Sequence, residues 1–171
     1  MAYIKETLTS NGRRAILRGA SPPETEMIGE YIVNLSMEEI AYLAGIVDGE
    51  GTISVHKTHG NRKNTNAVPY VSISNTNEAL IKWIRSRVGG ILRTRKPCKS
   101  HYKIAYDLRF YYNRALDLIT LIYPYLIVKR NQAHLLLTKY KECTPRNGKY
   151  TKKVLEAKHA LVFEMRALNK R

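Results

Sequence analysis

Hydrophobic and polar positions change their spacing along the chain, and these changes mark the predicted helices and strands. Residues 1–35 show no sustained periodicity, so we expect them to form an N-terminal extension or a short preceding element. Ser36 and Glu39 have the spacing of a capping box, which predicts a helix from that point to about Asp48. From Thr52 onward apolar residues alternate with polar ones, as in a strand with one buried face.

Two predicted strand pairs follow, each with a helix after it. The first pair is expected near Thr52–His56 and Tyr70–Ser74, around a polar loop at Thr58–Asn66, and is followed by a helix to Val88. The second pair is expected at Ile91–Arg95 and Tyr102–Tyr112. The remaining helices are expected at Asn113–Tyr123, Lys129–Cys143 and Thr151–Asn169. The order α-ββ-α-ββ-α, followed by C-terminal helices, predicts one α+β domain over residues 36–171 with an antiparallel sheet.

Net charge narrows the class of partner. The 171 residues include 29 Lys and Arg against 14 Asp and Glu, a formal charge of +15, and 44% of the residues are hydrophobic. The hydrophobic content argues against a disordered chain, and the charge favours a polyanion as the partner. We therefore expect nucleic acid rather than a membrane surface.

Cysteine usage and the longest apolar stretch indicate an intracellular protein. Cys98 and Cys143 have no second cysteine nearby, which is typical of free thiols in a reducing compartment. The stretch Leu116–Val128 contains Asp117 and Pro124 and is too short to span a bilayer. The N-terminus lacks the apolar core of a secretory signal.

The segment Leu43–Gly51, which reads LAGIVDGEG, ends the first predicted helix and divides it into two faces. One face is apolar and is expected to pack in the core: Met37, Ile40, Leu43 and Val47. The other carries small residues that would let a partner helix approach closely: Ala41, Ala44, Gly45 and Asp48.

Asp48 and Glu50 place two carboxylates at the C-terminal end of this helix, beside its last carbonyl groups. Such oxygen ligands suit a hard cation such as Mg²⁺, and one such set is half of a two-metal site for phosphodiester hydrolysis. The alternative is that the segment is only a polar helix cap with its carboxylates in water. The small-residue face, the alternating strands and the positive charge favour the metal site.

Leu43–Gly51 resembles the LAGLIDADG motif, and the element order over residues 37–143 resembles the fold of that homing endonuclease family. A single motif implies the homodimeric branch, in which the motif helices of two subunits pack together. The resemblance implies that Glu50 and the carbonyl of Gly49 bind metal and that Asp48 has a structural capping role. It also implies that Lys129 stabilises charge or positions the attacking water, and that Asn75 orders solvent.

Strand alternation predicts that the sheet has a polar, cation-bearing face. The family resemblance implies that the sheet is saddle-shaped and that this face would meet the DNA major groove. Its candidate DNA-binding residues are Ser54, His56, Thr58, Tyr70, Ser72, Ser74, Arg93, Arg95, Lys103 and Arg109. Arg93 and Arg95 are the candidates for bidentate guanine contacts, whereas Arg62 and Lys63 lie in a loop and are expected to meet phosphate. A solvated face without DNA contacts is the alternative for any single residue.

The expected function is a homodimeric, intron-encoded endonuclease that uses Mg²⁺ or Mn²⁺. It would cut both strands of a long pseudo-palindromic DNA target and leave 3′ overhangs, in the cytoplasm of a prokaryote or in an organelle matrix. Two alternatives remain open. One is a non-cleaving maturase that binds RNA during intron splicing, and the other is a basic RNA-associated structural protein.

Overall fold

The computed structural model describes residues 5–8, 14–17, 35–58, 66–96, 101, 103–145 and 150–170, with the backbone alone at 5–8, 14–17, 57, 58 and 66. The strands are β1 (Lys5–Leu8), β2 (Arg14–Leu17), β3 (Gly51–Thr58), β4 (Asn66–Asn75), β5 (Ile91–Arg95) and β6 (Ala105–Tyr111). The helices are α1 (Met37–Glu50), α2 (Glu78–Val88), α3 (Asn113–Ile122), α4 (Arg130–Lys139) and α5 (Lys152–Leu168), with a 3-10 turn at Tyr123–Tyr125.

Helix α1 begins with the predicted capping box. The Ser36 side chain accepts a hydrogen bond from the Glu39 backbone N–H (3.3 Å), and the Glu39 carboxylate accepts one from the Ser36 N–H (2.9 Å). The helix continues two residues beyond the predicted end, because Gly51 rather than Gly49 is its C-cap. A Cβ at Gly51 would lie 2.7 Å from the carbonyl oxygen of Val47, so the close departure of β3 from the helix requires glycine.

The four-stranded sheet has the order β3-β4-β6-β5, with every neighbouring pair antiparallel. Its apolar face carries fully or almost fully buried side chains: Ile53, Val71, Ile73, Leu108 and Phe110. Helices α1, α2 and α3 pack against this side, and α4 and α5 pack against each other and against β3. The predicted α+β class with an antiparallel sheet is confirmed.

Some boundaries differ from the predicted ones. Strand β4 begins at Asn66 rather than near Tyr70, and it includes Pro69, which pairs with Val55 of β3. Proline lacks a backbone N–H, so sequence rules discourage a strand there. The Pro69 carbonyl still accepts a hydrogen bond from the Tyr112 N–H (3.1 Å). Tertiary pairing therefore extends the strand past the local signal.

Two further predictions need correction near the N-terminus. Strands β1 and β2 form a short antiparallel pair inside the predicted extension, where the sequence indicated at most a short element of unspecified type, because four-residue strands are too short for periodicity to be recognised. Met37 was expected in the core but is 51% exposed, since it is the first residue of α1 and precedes the turn that packs on the sheet. The rest of the predicted N-terminal extension up to residue 34 lies outside the described residues.

Candidate active site and nucleic-acid interface

The end of α1 lies against the end of β4, which brings Glu50 to Asn75. The Asn75 side-chain amide donates a hydrogen bond to the Glu50 carboxylate. The Asn75 side-chain oxygen accepts a hydrogen bond from the Asn77 backbone N–H (2.7 Å), which fixes the orientation of the amide. Glu50 itself is exposed, so one of its sides is fixed by Asn75 and the remainder is open to a ligand.

Asp48, two residues before Glu50, has a different environment. Its carboxylate accepts hydrogen bonds from the backbone N–H groups of Ile127 (2.7 Å), Val128 (3.1 Å) and Lys129 (2.9 Å). These residues lead into α4, so Asp48 joins the C-terminal end of α1 to the N-terminal side of α4. The carboxylate is engaged within its own chain, which is a structural role. The capping role that the resemblance implies for Asp48, where the motif helices of two subunits would meet, stays a prediction.

Lys129 lies at the same end of α1. Its ammonium group donates a hydrogen bond to the main-chain carbonyl of Asp48, where the helix carries its partial negative charge. The predicted residues Glu50, Asn75 and Lys129 are therefore all gathered around the end of α1. Their chemical roles, and that of the exposed Gly49, stay predictions.

The predicted interface face of α1 is partly wrong. Ala44 is fully buried in the core of its own chain and cannot contact another subunit. Ala41 is half-buried, and Gly45 is exposed: apart from its chain neighbours and the backbone of its own helix, no described atom lies within 4 Å of the position of an added Cβ. The open face of the helix is rotated relative to the predicted one, and it includes Tyr42 and Gly49. The sequence pattern missed the rotation because alanine suits a close-packed core as well as a close helix pair.

Strand register places the predicted polar side chains on one sheet face, opposite the core. Tyr70, Ser72 and Ser74 of β4 pair with Tyr111, Arg109 and Asp107 of β6, and Arg93 pairs with Asp107 from the other side. The remaining candidates on this face are Ser54, His56 and Arg95. Their shared face agrees with the prediction, whereas their contacts with DNA stay predictions.

The structure describes the other four candidate DNA-binding residues only in part. Lys103 is exposed but precedes β6, which starts at Ala105, so it is not a strand residue as predicted. Thr58 lies in β3 with its backbone alone described. Arg62 and Lys63 lie outside the described residues.

Asp107 is buried in the middle of the polar sheet face and organises the side chains around it. It accepts hydrogen bonds from the Ser74 hydroxyl and the Arg109 guanidinium, and the Arg95 guanidinium lies 3.5 Å away. Burial opposes ionisation of this carboxyl, but the bonds from Ser74 and Arg109 and the two cations outweigh it, so the pKa of Asp107 lies below its ordinary value. The bond to Asp107 also raises the pKa of Arg109.

An aromatic cluster occupies the same face beside these charges. The rings of His56, Tyr70 and Tyr111 lie with centroids 5.1–5.7 Å apart. Tyr111 was not among the predicted contacts, although its strand parity with Arg109 was available in the sequence. The cluster adds flat, partly polar surface to the predicted interface.

A hydrogen-bonded cluster that sequence reasoning missed attaches the C-terminal helix to the edge strand β3. The Asn169 amide donates to the Ile53 carbonyl (3.1 Å) and to the Ser54 hydroxyl (3.4 Å). The Gln132 amide donates to the Leu168 carbonyl (3.1 Å). These contacts link α4, which follows Lys129, to the strand that begins after Glu50. The Asn169 contacts join residues more than a hundred positions apart and the Gln132 contact joins residues 36 positions apart, so no local pattern could reveal them.

No His, Cys, Asp or Glu side chains in the described part of the chain form a group of three or more that could hold a metal ion. Over the same residues, no helix is long and apolar enough to cross a membrane. One chain therefore offers a single exposed carboxylate at the end of α1, next to a polar sheet face that carries arginines. These features define an α+β protein with an acidic helix end beside a cation-bearing sheet.

Comparison with known proteins identifies the fold. No protein-family model matches the chain, and no curated protein matches it in sequence. The homing endonuclease I-CvuI, in complex with its target in the presence of Ca, matches with a TM-score of 0.63 and 21% identity over 78% of this chain and 83% of that chain. The archaeal intron-encoded homing endonuclease I-Vdi141I, complexed with DNA, matches with a TM-score of 0.59 and 20% identity over 78% and 86%.

In a third match, this chain covers a smaller share of the matched protein. The LAGLIDADG meganuclease I-AabMI, bound to uncleaved DNA, matches with a TM-score of 0.54 and 19% identity over 72% of this chain but only 43% of that chain. The chain has the LAGLIDADG homing endonuclease fold, as the resemblance at Leu43–Gly51 predicted.

Proposed function

We propose that the chain is a site-specific endonuclease that cuts double-stranded DNA as a homodimer with Mg²⁺ or Mn²⁺. The observation that carries this proposal is that the two acids of the motif have different environments. Asp48 is engaged by three backbone N–H groups, whereas Glu50 is exposed and oriented by Asn75. A helix cap alone would need the first acid and would not need the second.

The donor set at the end of α1 fits a divalent cation. The Glu50 carboxylate is exposed, and the carbonyl groups of the last helical turn add partial negative charge that favours a cation. Mg²⁺ is commonly bound through one or two carboxylates together with substrate phosphates, so a single acid per chain is sufficient when DNA and a second subunit complete the site. The bound cations would stabilise the charge that develops on the phosphate and would activate water.

The neighbouring side chains prepare the site for that chemistry. Asn75 holds the Glu50 carboxylate from one side and leaves the other side open for a ligand. The Lys129 ammonium lies on the Asp48 carbonyl, close enough to the helix end to stabilise negative charge on a scissile phosphate or to orient a water molecule. The Asp48 carboxylate holds the backbone of the Lys129 loop in place.

Two observations support a homodimer. The open face of α1, with exposed Tyr42, Gly45 and Gly49 and half-buried Ala41 at its edge, has room for a second helix. The match to I-AabMI covers less than half of that chain, which is the relation expected if two copies of this chain do the work of one longer protein. Two-fold pairing of the subunits would favour a pseudo-palindromic target.

The polar sheet face is the proposed DNA-binding surface. The fold neighbours I-CvuI and I-Vdi141I are in complexes with a target and with DNA, respectively. Side chains on a sheet can contact base edges in the major groove, and arginine is well suited to guanine. We include in the proposal a long target, 3′ overhangs, intron homing, and a prokaryotic cytoplasm or organelle matrix as the setting.

The test is a cleavage selection on a library of randomised DNA duplexes, with Mg²⁺, Mn²⁺ or Ca²⁺ added separately. Wild-type protein should enrich one family of cut sequences with 3′ overhangs, found by sequencing the ends. Glu50→Gln should bind the enriched duplex as tightly as wild type and leave it intact. Light scattering on the DNA-free protein should give twice 19.6 kDa. Cleavage retained by Glu50→Gln would contradict the assigned site, and a mass of one chain would contradict the shared site.

A maturase remains the second candidate, because the +15 charge suits RNA as well as DNA. This alternative predicts tight binding to a structured intron RNA, no enrichment of any cut duplex, and splicing activity that Glu50→Gln retains. The two functions therefore differ in their dependence on the same carboxylate.

A further inference from the structure

The polar sheet face contains a carboxylate that a DNA-binding surface would not need for affinity. Asp107 is 4% exposed and lies on the same face as Ser74, Arg93 and Arg109. Among the described residues it is the buried acid, and a negative charge at this place repels a polyanion. Its presence therefore calls for a role other than attraction to DNA.

The contacts of Asp107 show what it does to the arginines beside it. Arg109 is bound to Asp107 and has a side chain only 25% exposed, whereas Arg95 is 60% exposed and lies 3.5 Å from both Asp107 and the Ser74 hydroxyl. The carboxylate thus holds Arg109 down against the sheet and restrains Arg95 from one side only. One arginine is withdrawn from the surface and the other projects from it.

The Nε atom of Arg109 indicates that this arrangement depends on the carboxylate. That atom is buried and has no hydrogen-bond partner in the described structure. An unsatisfied buried donor is costly, so the Arg109 side chain would gain by turning out to water if the bond to Asp107 were lost. The bond to Asp107 is therefore the main restraint on this side chain, beside a lesser interaction with the Tyr111 side chain.

We propose that Asp107 is a positioning residue for base recognition, which holds Arg109 away from the phosphates and restrains Arg95 in the orientation that contacts guanine. This proposal rests on the proposed function of the sheet face as a DNA-binding surface. A guanidinium restrained on one side loses less conformational freedom when it forms a bidentate contact, which favours the correct base over the others. A released Arg109 would instead bind phosphate and raise affinity for any sequence.

The variant Asp107→Asn tests the proposal, with Glu164→Gln as the matched control. Both remove one negative charge, but Glu164 pairs with Lys139 on the surface between α4 and α5. Each protein is used to select bound duplexes from a randomised library, and its binding to a random-sequence duplex is measured against salt concentration. The thermal unfolding midpoint of each variant is recorded first.

Asp107→Asn should lose about 5- to 100-fold of the preference for guanine at one base pair in each half-site, the range expected for a bidentate arginine contact. Its affinity for random duplex should fall more steeply with salt, by about 1.8 in the log–log slope, which is one extra phosphate contact from each of the two subunits. The added slope should vanish in the Arg109→Gln background, and Glu164→Gln should show neither change. If the substitution only impaired folding, the loss of base preference would not be confined to one base pair.

If Asp107→Asn does not fold, Ser74→Ala replaces it, since it removes one neutral donor to the carboxylate at unchanged charge. It should weaken the same base preference by a smaller factor. Unchanged base preference and salt slope in a folded Asp107→Asn overturn the positioning role while leaving the endonuclease proposal intact. Wild-type protein that selects no sequence overturns both.

Discussion

Substituting the two acids at the end of α1 should have opposite consequences, although they are only two residues apart. Asp48→Asn should destabilise the fold, because a neutral amide replaces an acceptor of three backbone N–H groups. The amide nitrogen is a donor, so it cannot accept the bonds that one of the carboxylate oxygens now receives. Glu50→Gln should leave the stability unchanged, because the Gln oxygen can still accept the bond from Asn75.

The size of the expected loss of stability depends on whether the three N–H groups can form other hydrogen bonds after the substitution. Hydrogen bonds to a charged group contribute about 1.5–3 kcal/mol each. Ile127 and Val128 are 85% and 70% exposed, so their N–H groups can regain water and much of that energy is recovered. We expect a loss of about 2–4 kcal/mol in the free energy of unfolding for Asp48→Asn. In a chain of this size that corresponds to a fall of about 5–15 °C in Tm.

The assay pairs urea denaturation followed by circular dichroism with cleavage of the selected duplex. Asp48→Asn should unfold at lower urea and keep partial cleavage at low temperature, where the Lys129 loop is still folded. Glu50→Gln should unfold with wild type and show no cleavage. Equal stability of Asp48→Asn and wild type would refute the structural role of Asp48, and a destabilised Glu50→Gln would refute the separation of the two roles.

Three further outcomes are expected. Gly45→Ala should leave the folded dimer intact, because an added Cβ meets no side chain of the described residues. Gly45→Arg should give a light-scattering mass near 19.6 kDa, because a long charged side chain on the open face of α1 would separate the two motif helices. The pKa of Asp107 lies below its ordinary value of 3.8, so the ionised carboxylate should make wild type more stable than Asp107→Asn at neutral pH. This difference in the free energy of unfolding should decline below about pH 4, as the pH falls through the folded-state pKa. An equal loss of stability in both proteins on acidification would contradict the prediction. Lys158 is 2% exposed and lies between the Tyr140 and Tyr150 rings, so its aliphatic chain is packed in the fold. Lys158→Ala should therefore lower the free energy of unfolding, measured by urea denaturation, by about 2 kcal/mol more than Lys158→Met. Equal losses in the two variants would show that the packed aliphatic chain contributes nothing.

The local elements were largely predictable because their signals lie within a few residues of one another. The capping box at Ser36 and the alternation of Ile53 with Ser54 are short-range patterns, and the structure confirms both. The start of β4 was not predictable, since its first residues are paired to β3 despite Pro69. Strand pairing supplied there what local propensity opposed.

The candidate active site was predictable in its members but not in its arrangement. Glu50 follows from the motif, and Asn75 and Lys129 follow from the family resemblance. The burial of Ala44 in its own core was not predictable, because a small residue fits a core and a helix interface equally well. The rotation of α1 about its axis is determined by all of its contacts with the sheet together. The residue pattern along one face of the helix does not predict it.

By itself the sequence determined the order of elements, the apolar and polar faces of the strands, and the place of the motif at a helix end. These follow from hydrophobic periods of about 3.6 and 2 residues and from capping chemistry, which act over a few positions. Only the tertiary structure decided that β4 and β6 meet at the centre of the sheet, so that Asp107 lies between Ser74 and two arginines. It alone brought Asp48 to the backbone of 127–129. Such contacts join distant residues through packing, and their energies exist only once the chain has folded.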